Sequence, residues 1–286
     1  LRLINIKPGF NKQVTESGGE GQWIDGDNVR FRYGLPEKIG GWQALVNKTL
    51  AGAARAQHTF TDLDGRKYSA IGTNKLLVIY YEGDFYDITP IDTDLSQVGC
   101  DITTVNGSDI VTITSPADHG LQIGDLVTFE NAGSFSGTSY TATDFDDILF
   151  EVQTVPTTDT FTIKMPSAES TGSVTNNGTL DLLPYVQIGP NIETYGFGWG
   201  VSSWGSSTWG TARTTTTVTL EAGSWSLDNY GQKLIATIQN GKTFEWDPIN
   251  VSGTALETRA TVLSNNPTAS IMTLVSDRDR HLFHFG

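Results

Sequence analysis

The densest group of acids in the chain is "DFDD" at 144–147, which places Asp144, Asp146 and Asp147 within four residues. Glycoside hydrolysis needs two carboxylates facing each other across a cleft, one to protonate the leaving oxygen and one to attack or to activate water. On a strand, Asp144 and Asp146 share a face and Asp147 points away. That pair could also hold Ca²⁺, but the glycine at the sixth position and the glutamate at the twelfth that an EF-hand loop requires are missing. The run reads as a solvated turn. The four histidines are His58, His119, His281 and His284. The last two are three apart in a segment that reads as strand, so their rings fall on opposite faces and cannot share a zinc. His119 lies in "ADHGLQIGD", where it most simply caps a turn. The lone Cys100 excludes an intramolecular disulfide and any cysteine-based zinc cluster, and reads as a small packed residue. No G-x-S-x-G elbow, P-loop or dinucleotide fingerprint occurs. A Ser-His-Asp triad leaves no mark in spacing, because its members need not be close in sequence. These residues give no expectation of enzymatic activity.

Trp199, Trp204 and Trp209 recur at intervals of five in "YGFGWGVSSWGSSTWG". Tryptophan faces stack on sugars or cations, yet nothing nearby supplies the polar groups a sugar site needs. The run reads as a loop whose rings pack under a sheet or against another subunit, since aromatic residues dominate interfaces.

Composition sets the frame for these residues. The chain has 286 residues, 37% of them hydrophobic, enough for globular cores and for two domains by length. Thirty-one glycines, abundant threonine and short apolar runs bounded by Asn, Asp and Gly favour strands and turns, and no convincing long helix is visible. No run of about 18 apolar residues occurs, so no membrane insertion is expected. The net charge of −14 is uneven: residues 1–98 carry 11 Lys/Arg against 12 Asp/Glu, 99–182 carry 1 against 12, and 183–286 carry 6 against 8. The acidity belongs to the middle. Such a surface repels phosphates and makes no nucleic-acid patch, which needs clustered Lys and Arg.

Three stretches repeat one pattern: "RKYSAIGTNKLLVIYYEGDFYDITP" at 66–90, "GQKLIATIQNGKTFEWDP" at 231–248 and "SIMTLVSDRDRHLFHFG" at 270–286. Each is a small-residue or aliphatic strand, a polar turn and an aromatic-rich strand, the signature of a propeller-like meander whose units complete one another's cores. Four strands are predicted at 54–60, 66–72, 75–81 and 84–88, making one blade. The boundaries follow: an N-terminal arm at 1–43 with Trp23 and Trp42 as aromatic anchors, a first blade at 44–98, an inserted acidic β-barrel or sandwich at 99–183, and further blades from 184 to 286. An insertion of this kind requires ends that lie close together. A propeller closes with at least four blades, so the third, cut at Gly286, is expected to continue.

The lead-in "KPGFNKQVTESGGEGQWIDGDNVRFRYGLPEKIGGWQ" resembles the opening of the tail hub or nozzle proteins of short-tailed bacteriophages. The resemblance is carried by Lys7, Pro8, Gly9, Trp23, Asp25, Gly26, Val29, Arg30, Phe31, Arg32, Gly34, Pro36, Glu37, Lys38, Gly40, Gly41 and Trp42. The Trp-rich run and the terminal "DRDRHLFHFG" look similar to later parts of the same proteins. "SPADHGLQIGDLVTFENA" with "DTFTI" looks like a small β module recurrent in phage structural proteins. The resemblance implies a virion protein forming a homo-hexameric ring. Its implied partners are adaptor or portal-proximal proteins, tail fibres or spikes, and DNA that passes without specific binding. It implies action by assembly, no catalytic residue, and no metal or organic cofactor. Two other classes remain open: a receptor- or glycan-binding tail protein using the Trp loop or the inserted domain, and a polysaccharide-degrading tail enzyme using a carboxylate pair.

Overall fold

A computed structural model describes residues 6–41, 43–44, 46–190, 221–248, 256, 258–276 and 278–286. The chain is all-β. Regular structure among the described residues is strand, apart from short 3₁₀ turns such as Ala142–Asp144. By density of contacts it divides into residues 1–48 and 49–286.

In the first unit, β1 (Lys7–Phe10) runs parallel to β2 (Gln22–Trp23), and β3 (Val29–Arg32) pairs antiparallel with β4 (Leu35–Lys38). Tyr33 and Gly34 both have positive φ, which is the geometry of a two-residue primed hairpin turn. Phe10 meets Phe31 edge to face at 5.2 Å, and Trp23 lies 6.2 Å from Phe31, so three rings form the core of this small unit.

The second unit begins with a four-stranded meander, β5 (Ala54–Thr61), β6 (Lys67–Thr73), β7 (Leu77–Tyr81) and β8 (Asp84–Asp87). A six-stranded barrel follows, from β9 (Gln97–Thr104), β10 (Ile110–Thr114), β11 (Leu126–Glu130), β12 (Phe150–Glu151), β13 (Thr160–Lys164) and β14 (Val174–Pro184), in the order β12-β11-β14-β9-β10-β13. The bridge between Thr154 and Thr162 joins the two edges, leaving the sheet nearly closed and with little exposed strand edge. Inward alternation puts Cys100, Ile102, Val111, Ile113, Val127, Phe129, Phe161, Ile163, Leu180 and Leu182 in one core around Phe145.

After the barrel come a second meander, β15 (Trp225–Tyr230), β16 (Lys233–Ile238), β17 (Thr243–Trp246) and β18 (Thr261–Val262), and a hairpin, β19 (Met272–Ser276) with β20 (His281–Phe285). The inner faces of the two meanders share one core: Phe60, Tyr68, Ala70 and Ile79 from the first meet Trp225, Leu234, Phe244 and Trp246 from the second. The second meander uses its other face to hold the hairpin, where Thr237 Oγ1 and Thr273 Oγ1 are 2.6 Å apart and Val275 donates its N–H to Asp228 at 2.7 Å. First meander, second meander and hairpin are thus successive layers, an arrangement compatible with a propeller.

The "DFDD" segment is a turn, as its sequence suggests: Asp144 closes the 3₁₀ turn by accepting from Thr141 N–H at 2.7 Å, and Asp146 accepts from Ala132 N–H at 2.9 Å. Local side-chain bonds to backbone hold it. One element differs from the sequence-based expectation. The polar stretch at 174–179 is the first part of the 11-residue β14, whose register shifts where Asn176 and Gly178 adopt positive φ. A strand broken by bulges lacks the alternation by which strands are read.

Candidate functional site

Among the described residues of the second unit, polar side chains converge at the root of the barrel. β8 ends in Asp87, β14 runs into Tyr185, and Arg259 lies just before β18, so three distant parts of the chain converge. Tyr185 Oη donates to Asp87 Oδ2 at 2.6 Å, and Arg259 Nη2 donates to Tyr185 Oη at 2.6 Å. Arg259 Nη1 also reaches Asp87 Oδ2 at 3.3 Å and the Thr89 carbonyl at 2.9 Å, with its guanidinium 4.5 Å from the centre of the Tyr185 ring. Thr89 completes the cluster by donating its N–H and hydroxyl to Asp87 Oδ1. Burial, reinforced by the Asp87 charge and offset by Arg259, pushes the Tyr185 phenol well above its ordinary value, so it acts as a neutral donor. Below this cluster Leu76 and Val78 of the first meander pack against Leu126 of the barrel and the Tyr185 ring. The chemistry is that of a joint, because each charge is spent on fixing the barrel to the meanders. Replacing Arg259 by Met is expected to cost about 2–3 kcal/mol, since hydrogen bonds to charged groups are lost and Asp87 keeps its desolvation. Urea unfolding checks this.

A cleft of about 400 Å³ adjoins the joint, bordered by Asn74, Lys75, Gln122, Asp125, Tyr185 and Gln187 among others. Asp125 accepts from Gln122 N–H at 2.8 Å and Gln187 Nε2 at 2.7 Å. Burial raises its carboxyl above the ordinary value despite those bonds. Lys75 on the rim pairs with Glu151 at 3.0 Å. These bonds tie a barrel loop to the strand that returns toward the meanders.

Glu169 is a buried acid of a different kind. One of its carboxylate oxygens accepts backbone N–H groups from Ser139, Thr171 and Gly172 at 2.8, 2.7 and 3.3 Å, while its own backbone bonds Gly107 and Ser108. Burial opposes its charge, but the donations from Thr171, Ser139 and Gly172 prevail and hold the carboxyl below its usual range. Three loops at one end of the barrel are clipped together by this single side chain.

The residues singled out in the sequence are dispersed. Among the described residues no group of three or more His, Cys, Asp or Glu is placed to hold a metal. His58 Nε2 lies 2.8 Å from Asn229 Oδ1 between the meanders. His119 is buried, accepts Leu121 N–H at Nδ1 and stands edge-on to Phe161. His281 faces outward on β20 while His284 faces the second meander, with Nδ1 at 3.3 Å from Ser270 Oγ. Trp23 packs on Phe31 in the first unit. Trp42, Trp199, Trp204 and Trp209 lie outside the described residues. The joint residues were missed by sequence reading because Asp87, Tyr185 and Arg259 are separated by 98 and 74 positions and sit in no motif.

Cys100 is fully buried in the barrel, where burial pushes its thiol up to about 12. It is the one cysteine of the chain. The expected result is no alkylation of the folded protein at pH 8 and full alkylation in denaturant, read by intact mass. Rapid labelling of the folded protein would mean that the barrel opens readily.

Comparison with known proteins yields little. No family model and no curated protein matches the chain. Among solved structures, the chain is similar to the phage phi92 endosialidase at 17% identity with a TM-score of 0.25, over 80% of this chain and 40% of that one. The chain thus spans less than half of that protein's length, and a likeness of this size carries neither reaction nor substrate across.

Proposed function

We propose that this chain is a structural component of a short-tailed bacteriophage virion, a tail nozzle or hub protein. In this reading it forms part of the DNA ejection channel, holds tail appendages and acts by assembly without catalysis. The observation that carries the reading is the joint. The chain invests its half-buried charges Asp87 and Arg259 in fixing the barrel to the layered sheets, which suits a scaffold whose parts must keep their orientation. The sequence resemblance of residues 7–42 to tail hub and nozzle proteins supplies the location. A homo-hexameric ring, adaptor or portal-proximal neighbours and fibres or spikes are the partners this reading implies.

The acidic barrel accords with it. Were the barrel to face the channel, like-charge repulsion would keep passing DNA from adhering. The test is a cryo-EM reconstruction of the intact particle, in which this chain is expected as six copies around the tail axis. A peripheral, trimeric position would overturn the nozzle assignment.

A further inference from the structure

The cleft beside the joint carries more hydrogen-bonding capacity than the fold uses. It lies where the barrel loop 122–126, the turn between β6 and β7 and the stretch after β14 come together, and small-molecule sites favour such junctions. Its volume of about 400 Å³ is within their ordinary range of about 300–1,000 Å³. Asp125 takes both Gln122 N–H and Gln187 Nε2–H on Oδ2, and its Oδ1 has no partner among the described residues. Asn74, which also lines the cleft, is 5% exposed and spends its Oδ1 on Ala53 N–H, while its Nδ2 has no partner among the described residues. A donor left unanswered on so buried a side chain is costly unless something enters to accept from it. Among the described residues Gln187 Oε1 is likewise unpartnered, and Lys75 pairs with Glu151 with N–H groups to spare.

These groups select a ligand class. Asn74 and Lys75 offer donors, whereas Asp125 and Gln187 offer acceptors, so a ligand must both accept and donate over a short span. An ammonium or guanidinium accepts nothing and would leave the donors unanswered. An anion would meet Asp125, Glu151 and a segment, 99–182, that carries 1 Lys/Arg against 12 Asp/Glu. Hydroxyls do both without charge. Burial, which raises the Asp125 carboxyl above its ordinary value, adds a demand for a donor at Oδ1. Ile123, 70% exposed, and Ile188 supply an apolar wall for ring carbons. Water serves these groups in the free protein, and a sugar ring reproduces its bonds while adding that apolar contact.

We propose that this cleft binds a neutral sugar. Asp125 Oδ1 and Gln187 Oε1 accept from its hydroxyls, Asn74 Nδ2 and Lys75 Nζ donate to them, and Ile123 covers one face of the ring. The inference goes beyond the virion reading and stands or falls without it.

Saturation-transfer NMR on the full chain tests it, with titrations of glucose, galactose, mannose and N-acetylglucosamine. Glucosamine and N-acetylneuraminic acid serve as cationic and anionic counterparts. Expected is binding of at least one neutral sugar, weakened at least tenfold by each of two variants. Asp125→Asn turns an acceptor into a donor at constant size, and Lys75→Met removes a donor and keeps the stem. Protection of the Cys100 thiol and parent-like tryptophan fluorescence verify that each variant is folded, and Ile123→Asp, at a side chain already exposed, replaces one that is not. No transfer to any neutral sugar overturns the proposal. So does binding that survives either variant, which would place the sugar elsewhere, or a preference for glucosamine or N-acetylneuraminic acid over every neutral sugar.

Discussion

Gly72→Val is expected to destabilise the second unit by about 3–4 kcal/mol and to separate the two meanders before the barrel opens. A Cβ at position 72 would stand 2.5 Å from Trp225 Cδ1 and under 3 Å from two further Trp225 atoms, closer than real contacts allow. The indole cannot retreat without losing its place among Ile79, Leu234 and Phe244 in the shared core, and its Nε1–H would leave the Thr73 carbonyl at 3.0 Å. Loss of a large aromatic from a core costs about 3–5 kcal/mol and overpacking about 1–3, so partial relaxation brings the sum near the lower figures. Tryptophan fluorescence should report the change at lower urea than Cys100 labelling does. Coincident transitions would show that meanders and barrel unfold as one.

Glu169→Ala is expected to cost about 2–3 kcal/mol, because the part-buried N–H groups of Ser139, Thr171 and Gly172 lose one charged acceptor, whose hydrogen bonds are worth roughly 1.5–3 kcal/mol, and water reaches the exposed donors. The same side chain gives the fold a pH dependence with a definite sign. A carboxyl whose folded value lies below its unfolded value adds stability that is fully present above the unfolded value, ordinarily 4.5, and is lost as pH falls through the lower folded value. Stability should thus decline below about pH 4.5 in the parent. Glu169→Gln, which cannot ionise, should flatten that part of the decline. A variant with the parent's full acid slope would remove Glu169 from the account.

Much of the fold is legible in the sequence where burial imposes a period. The four strands of the first meander stand within two residues of their predicted bounds, because "KYSAIGT" and "LLVIYY" alternate or run apolar between Gly and Asn turns. β10 and β13 alternate as cleanly in sequence, and β11 runs buried on both faces. β14 escapes the eye, since Asn176, Asn177 and Gly178 interrupt its pattern with bulges, and β18 is two residues that only the second meander's edge defines. The joint is illegible for another reason. Asp87, Tyr185 and Arg259 are individually ordinary surface residue types, and their meaning arises from a convergence of sheets that no local spacing encodes. "DFDD" is legible as a turn, since short acids beside backbone N–H groups cap locally, as Asp144 and Asp146 do.

The barrel leaves and rejoins the first meander at adjacent backbone positions: Asp92 donates to the Pro184 carbonyl at 2.8 Å and Val186 to the Pro90 carbonyl at 3.1 Å. Mechanically, this pair is a short circuit. Tension entering through the first meander and leaving through the second passes across those two hydrogen bonds and the packed Tyr185, and the 92–184 excursion hangs outside the load path. A pull on the chain would therefore strain the sheets and leave most of the barrel slack, so the parts of that segment away from Asp125, Leu126 and Glu151 are free to vary in size or sequence without altering how the rest transmits force.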